Sequence, residues 1–408
     1  MSAESTTIRE RLDPRTMPLR QQLGIVAFLG LGSIPLVVLG GGIGSTTQLF
    51  TLMTAMYIAM FAMSWDAVSG YTGEISFGHA MFFAAGGYTS GILNLELGLS
   101  PYVAIPFGVV AAAILGLLIG IPALRLHGPY LSLITLVVPL VMLQIFVIRA
   151  DIFGGEIGIS NPDNLFQGGS VDLASTALGV TSFEAQLFLN FYATFALFAF
   201  ILGLLLLVTR SDAGQVFTAI REDINAVESV GINPAKFKIF AFVLSGAVGG
   251  LAGAVFVHTM VGQPQPSQLL DLVVSIEVII ATIIGGMGTI TGAAIGGLFF
   301  YLAIDFLSGI DTVVPILDHT VGGMDFLIFT VIALALLFYV PEGMLRWGII
   351  KGRKLQNRVR ERRGKEPLTD GGVPEDIENG TTPLERAVDA FGDELERIAD
   401  RINGGNNK

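Results

Sequence analysis

Two long charge-free runs flanking one polar island leave this chain few folds. Residues 187–208 hold 22 positions without a charged side chain, and residues 239–257 hold 19 more. Either run is long enough to cross a hydrocarbon core about 30 Å thick as a helix. A backbone in lipid must satisfy its own hydrogen bonds, so runs of this kind fold as helices packed into a bundle. The island between them, 209–238, reads TRSDAGQVFTAIREDINAVESVGINPAKFK and carries Arg210, Arg221, Lys236 and Lys238. Those positive charges place it on the cytoplasmic side. An ordered, mixed-charge helix in such a loop suits the docking of a soluble partner, and hence transport driven by another chain.

The whole chain supports that class. Of its 408 residues 52% are hydrophobic and 14% are charged, so an all-α polytopic membrane protein is expected. No cleavable signal peptide is apparent in the first 21 residues, which carry Arg9, Arg11, Arg15 and Arg20. Ten spans are expected, near 22–40, 47–69, 80–97, 102–122, 129–149, 186–208, 238–258, 270–289, 291–309 and 324–342. The positive residues at the N-terminus, Arg125, the island and the nine in 346–365 all fall on one side under this count. Loops 150–185 and 310–323 hold no Lys or Arg and fall on the other. Both termini are then cytoplasmic, in a multi-pass plasma-membrane protein. Arg149 is the one misfit, at the outer end of a span, from which an Arg can snorkel.

The domain reading follows: a cytoplasmic segment 1–21, a membrane domain 22–345, a basic juxtamembrane segment and linker 346–383, and a helical tail 384–408. The basic run suits anionic membrane lipid. In the tail Leu384, Val388, Phe391, Leu395, Ile398 and Ile402 form a helical apolar stripe. The net charge of −11 and the scarcity of Lys beside Arg fit a halophilic source, although residues 366–408 alone supply 11 carboxylates. No nucleic-acid partner is expected. The absence of Cys rules out disulfides and thiolate metal sites.

Polar groups inside the apolar stretches are the candidates for a transport path, because a charge at mid-bilayer costs about 2.5–3.5 kcal/mol on insertion scales. Asp66, Glu74, His79, Glu96, His258, Glu277, Asp305 and Asp325 qualify, most of them near span ends where a hydrated interfacial role is the simpler reading. Glu277 lies deeper and is the strongest choice for a pore-facing or paired carboxylate. Glu74, Ser76 and His79 follow, because Gly70, Gly73 and Gly78 let the backbone unwind beside them. The same residues could equally form a cytoplasmic turn joining two helices. Glycines 70, 73, 78 and 86 are echoed in spacing by 285, 288, 292 and 296. Pairs four apart, such as Gly246/Gly250 and Gly249/Gly253, suit close helix packing.

In the island the periodicity predicts one helix over 215–230, with Val216, Ile220, Ala226/Val227 and Val230 on one face and Gly231 as its stop. Arg221, Glu222 and Asp223 would offer surface charge to a partner. Here the chain resembles permease subunits of branched-chain amino acid ABC importers, in particular the second permease of the high-affinity system. SDAG (211–214), AIRED (219–223), Ala226, GIN (231–233) and Lys238 follow that family's island. GYTGEISFGHA (70–80) resembles its G-Q-(L/I)-S-(L/F)-G-H-A element, with Glu74 in place of the usual Gln. PALRLHGPY (122–130) and GGMGT (285–289) resemble two further elements, and the likeness runs in order over about 50–345. The chain beyond Arg346 is not part of the family pattern.

The resemblance implies a permease carrying branched-chain or related amino acids, urea or short amides. It also implies ATPase subunits bound to the island, a second permease and an extracellular substrate-binding protein. Gly214, Ala219, Arg221, Glu222, Asp223 and Gly231 would couple to the ATPase. No G-x-x-x-x-G-K-[ST] loop occurs, so the chain is not expected to be an enzyme or to hold a cofactor, and ATP would sit on a partner. A stand-alone secondary transporter or channel for small polar solutes is the competing reading, with Glu277 its best coupling site. An intramembrane enzyme is disfavoured by the lack of an H-x-x-x-H pair or a G-x-S-x-G element, and no metal site is expected.

Overall fold

A computed structural model describes residues 30–34, 46–123, 129–262, 264–314, 319–340, 343–348 and 350–351. It divides into two units, 1–329 and 330–408. Among the described residues the fold is helical, apart from loops and a two-residue antiparallel pair, Val313–Val314 with His319–Thr320. The helices are α1 (Thr46–Thr72), α2 (Ala80–Leu97), α3 (Pro101–Ala123), α4 (Pro129–Ile148), α5 (Ala150–Phe153), α6 (Gly169–Leu178) and α7 (Ser182–Thr209). Then come α8 (Asp212–Glu222), α9 (Ile224–Ser229), α10 (Pro234–Val257), α11 (Pro266–Leu270), α12 (Leu272–Gly285), α13 (Ile290–Ser308) and α14 (Asp325–Tyr339).

Seven helices among the described residues are long and apolar enough to cross a membrane. They correspond to seven of the ten expected spans. Of the span at 22–40 only residues 30–34 are described, and these are helical. The span at 80–97 is present as α2, whose 18 residues include Gly86, Gly87, Ser90, Asn94 and Glu96 and are less apolar. The expected span at 270–289 is corrected: α12 has 14 residues, about 21 Å of helix and short of a bilayer core. Asp271 caps its start by accepting from Val273 N, and Gly286 and Gly288, at φ +125° and +79°, end it. The segments 1–21 and 352–408, with the tail stripe, lie outside the described residues.

Burial differs widely among the candidate spans. About 56% of the α1 span and 61% of the α10 span are buried, against 22% of the α4 span. The most apolar helix therefore turns its large side chains outward, with Leu133, Val137, Val141 and Ile145 exposed, as a lipid-facing helix does. The interior combines large side chains, among them Trp65, Tyr57, Phe61 and Phe82, with glycines and alanines where helices meet. α10 packs along α2 and α3 and also meets α1, and α1 packs against α13 and α7.

Close approach explains that arrangement. A Cβ built on Gly250 would strike the side chain of Ala112 in α3, and one on Gly86 in α2 would strike the Gly250 backbone. A Cβ on Gly246 would fall 2.7 Å from the Ala112 carbonyl oxygen. The four-residue glycine spacing thus serves packing: without a hydrophobic effect between helices in lipid, contact depends on backbones coming near each other.

At one end of the bundle the His258 ring sits between Ser90 Oγ at 2.8 Å and the Asp163 carbonyl at 2.7 Å. Asn94 brackets Asp163, accepting from its backbone N at 2.7 Å and donating to its carboxylate at 3.0 Å. These bonds fix the loop after α5 to α2 and α10. Arg149 pairs with Asp151 through two 2.9 Å bonds and is exposed, so it meets a partner beside it. That hydrogen bonding holds the Asp151 carboxyl below its ordinary range.

Gly250→Leu should prevent α2, α3 and α10 from seating together, costing about 1–3 kcal/mol or more. Gly203 meets nothing within 4 Å, so Gly203→Ala should leave the melting temperature unchanged or slightly raised. Thermal unfolding of the detergent-purified chain, read by size-exclusion recovery, compares the two.

Candidate functional site

The island does not form one helix. α8 ends at Glu222, and Asp223 adopts an extended conformation (φ −154°, ψ 106°) before α9 begins. The expectation of a single helix over 215–230 is corrected here, and the cause is Asp223 itself. Its carboxylate accepts from Asn225 N at 2.8 Å and Ala226 N at 3.1 Å, capping a new helix where an unbroken one would leave it no such role. Gly214, Phe217, Ile220 and Val227 are buried, whereas Ala226 and Val230 are exposed. Gly231 ends α9 at φ +82°, and Asn233 caps α10 by accepting from Ala235 N, with Pro234 in its first turn.

Arg221 turns toward the bundle. Its guanidinium donates to the Gly70 carbonyl at 2.6 Å, across 151 residues of sequence. Beside it, the Asp66 carboxylate accepts from Gly288 N at 2.7 Å. A Cβ on Gly70 would fall 2.7 Å from Gly288 N, so the two glycine segments that echo each other in sequence are in contact. Glu222 is exposed beside the α8 end, and Ala219 is exposed on the outer side of that helix.

The segment between α1 and α2 is non-helical, and side chains satisfy its backbone. Trp65 Nε1 donates to the Ser76 carbonyl at 2.7 Å, and Ser69 Oγ accepts from Ser76 N at 3.2 Å. Thr135 Oγ1 accepts from Phe77 N at 3.1 Å, while Ser132 Oγ donates to the Ile75 carbonyl at 2.8 Å. Ser275 on α12 accepts from Ala80 N at 3.3 Å. His79 is buried with Nε2 2.9 Å from both Ser64 Oγ and Ser245 Oγ, and its ring stacks on Phe61. Ser64 and Ser245 also bond each other's carbonyls, joining α1 to α10. Glu74 forms an ion pair with Lys238, which is buried at the start of α10. Three buried atoms here, Asp66 Oδ2, Ser76 Oγ and His79 Nδ1, have no hydrogen-bond partner in the structure.

Glu74, Ser76 and His79 are thus brought together on one unwound segment that also touches α4, α10 and α12. Glu277 stands apart: among the described residues no hydrogen bond or ion pair joins it to them. It lies half-buried five residues into α12, within electrostatic reach of Asp271 and Asp325. Among the described residues no group of three His, Cys, Asp or Glu is placed to hold a metal ion.

Residues 47–340 match the family described as "Branched-chain amino acid transport system / permease component". The chain belongs to this permease family. It is 30% identical over 283 residues to the high-affinity branched-chain amino acid transport system permease protein LivM of Salmonella typhimurium, covering 66% of this chain and 64% of that one. It is 26% identical to the probable LivH permease protein of Methanocaldococcus jannaschii, over 57% of this chain and 74% of the relative. The probable LivM permease protein of the same organism is 24% identical over 70% and 84%. The chain thus spans just under two thirds of the Salmonella relative. No solved structure matches. As a family permease with seven candidate spans, it is a multi-pass membrane protein.

Sequence reasoning named Arg221, Glu74, Ser76 and His79 but passed over Ser64, Ser245 and Trp65, which carry no charge to flag them. Lys238 enters that reading as one of the island's positive charges and as part of the family's island, not as one half of an ion pair. Its position at the head of an apolar run was the available signal that it needed a partner.

Trp65→Phe keeps the packed ring and deletes the donor to the Ser76 carbonyl. The buried carbonyl left unpaired should lower stability by about 1–3 kcal/mol, seen as a lower melting temperature in detergent.

Proposed function

We propose that this chain is the membrane-spanning subunit of an ATP-driven importer for branched-chain or related amino acids, with urea and short amides as related cargoes. The observation that carries the reading is the Arg221 bond to Gly70. It ties a polar surface helix to the C-terminal end of α1, next to the unwound segment, as a lever driven from outside the membrane requires. Membership of the permease family supports the same reading.

On this proposal both termini are cytoplasmic, and α8 and α9 face the cytoplasm. An ATPase subunit grips α8, a second permease of LivM or LivH type completes the channel, and an external binding protein delivers the solute. ATP is hydrolysed on the partner. When the ATPases close, α8 moves and draws the C-terminal end of α1 with it through Arg221, while Asp223 and Gly231 hold the shape of the lever. Glu74, Ser76 and His79 line the path, and Glu277 marks its opposite half. The acidic tail is cytoplasmic and the basic run before it lies on lipid.

Arg221→Gln should leave membrane insertion and assembly with the ATPase intact and cut ATP-driven leucine uptake at least about tenfold, since a charged hydrogen bond to a buried carbonyl is lost. Uptake by vesicles containing the reassembled complex measures this. Uptake at the parent rate would remove Arg221 from the lever, and uptake by the chain alone without ATP would replace the importer by a secondary transporter.

A further inference from the structure

Behind the island lies a cavity of about 580 Å³, within the range of about 300–1,000 Å³ usual for small-molecule sites. Its lining is chemically divided. Glu74, Lys238 and Arg221 supply charge, Thr72 a hydroxyl, and Ile220 and Ile224 an apolar wall.

A buried ion pair lining an open cavity sets a strict condition on what can enter. Lys238 is nearly fully buried and gives one of its three ammonium donors to Glu74. A lone cation or a lone anion entering here would compete for one half of the pair and leave the other half uncompensated. A ligand carrying both charges can add to each half at once: its ammonium on Glu74, its carboxylate on Lys238. Arg221 spends one N–H on Gly70 and has others to offer a carboxylate. The apolar wall, contributed by α8 and α9 on either side of the Asp223 break, then meets an aliphatic side chain.

We infer that this cavity is an exit-side binding site for the zwitterion of a branched-chain amino acid. This rests on the importer reading above and names where the cargo pauses before release. Because Ile220, Arg221 and Ile224 belong to the island, its movement reshapes the cavity: one position holds the amino acid and the other lets it go. A filled cavity resists that movement, so accumulated product slows further uptake.

The test uses the full chain in neutral-lipid nanodiscs and equilibrium binding of tritiated L-leucine. Competitors are 3-methylbutylamine, which lacks the carboxylate, and 4-methylpentanoate, which lacks the ammonium. Saturable leucine binding is expected, with each competitor at least about tenfold weaker than unlabelled leucine. The double variant E74Q/K238M leaves no lone buried charge and so should fold, yet bind leucine at least about tenfold more weakly at an unchanged melting temperature. Lys238→Arg keeps the charge and should retain binding. Competitors as effective as leucine, or a double variant that binds like the parent, would overturn the site. Absence of leucine binding beside ATP-driven leucine uptake by the assembled complex overturns the site and leaves the importer standing; absence of both overturns both.

Discussion

A backbone buried in a protein cannot leave its polar groups unpaired, and this chain breaks its helices in the buried interior of the bundle all the same. The breaks lie after α1, over 73–79, and after α12, over 286–289. The N–H groups of Ser76, Phe77, Ala80 and Gly288, and the carbonyls of Gly70, Ile75 and Ser76, are each taken by a side chain. Each left unpaired would cost about 1–3 kcal/mol, a large fraction of any domain's stability. The polar residues of the interior are therefore determined by the breaks, and so is the packing around them. Ser132, Thr135 and Ser275 reach in from α4 and α12, which draws those helices against the unwound segment.

Much of this was legible in the chain. The hydrophobic runs mark α1, α3, α4, α7, α10 and α13 to within a few residues, because length and apolar character are the properties the bilayer selects. The failures have local causes. Val216, Ile220 and Val227 keep helical spacing through the island, so periodicity carried the reading past Asp223, where capping chemistry prevails over period. An apolar run over 270–289 looks long enough to span, but the glycines from Gly285 end the helix early. The site was legible by residue and not by pairing. Glu74 and Lys238 each stand out, one as a departure from the family's Gln and one at the head of an apolar run, yet 164 positions separate them. The serines around His79 gave no signal, since Ser is common and uncharged.

The contact of the two glycine segments gives the echo in their sequences a physical meaning. A Cβ on Gly70 would strike the Asp66 carboxylate and Gly288 N, one on Gly288 would strike the Arg221 guanidinium, and Asp66 joins the two segments by accepting from Gly288 N. α1 and α12 are thus tied end to end where both stop being helical. α1 packs against α7, α10 and α13, so a pull at its C-terminal end is felt along most of the bundle. Coupling between distant parts of a protein needs such a continuous packed element with more than one resting arrangement, and helix ends at glycine breaks are where a second arrangement is cheapest to reach.

The placement of Arg221 bears on the lever proposed above. A hydrogen bond from a guanidinium to a neutral carbonyl would leave its charge uncompensated, but the Asp66 carboxylate lies close enough to act on it. Two glycines at positive φ make room for the side chain: Gly73 at +77°, where a Cβ would meet Arg221 Cγ at 3.3 Å, and Gly288 at +79°, where a Cβ would press on the guanidinium. A lysine could reach the carbonyl but would present a compact, strongly hydrated charge without the planar fork. With the Arg221 side chain bounded by two glycines and anchored at its tip, α8 cannot shift without moving the end of α1 or breaking the bond. A loop helix held only by packing would slide; on the proposed lever, this one pulls.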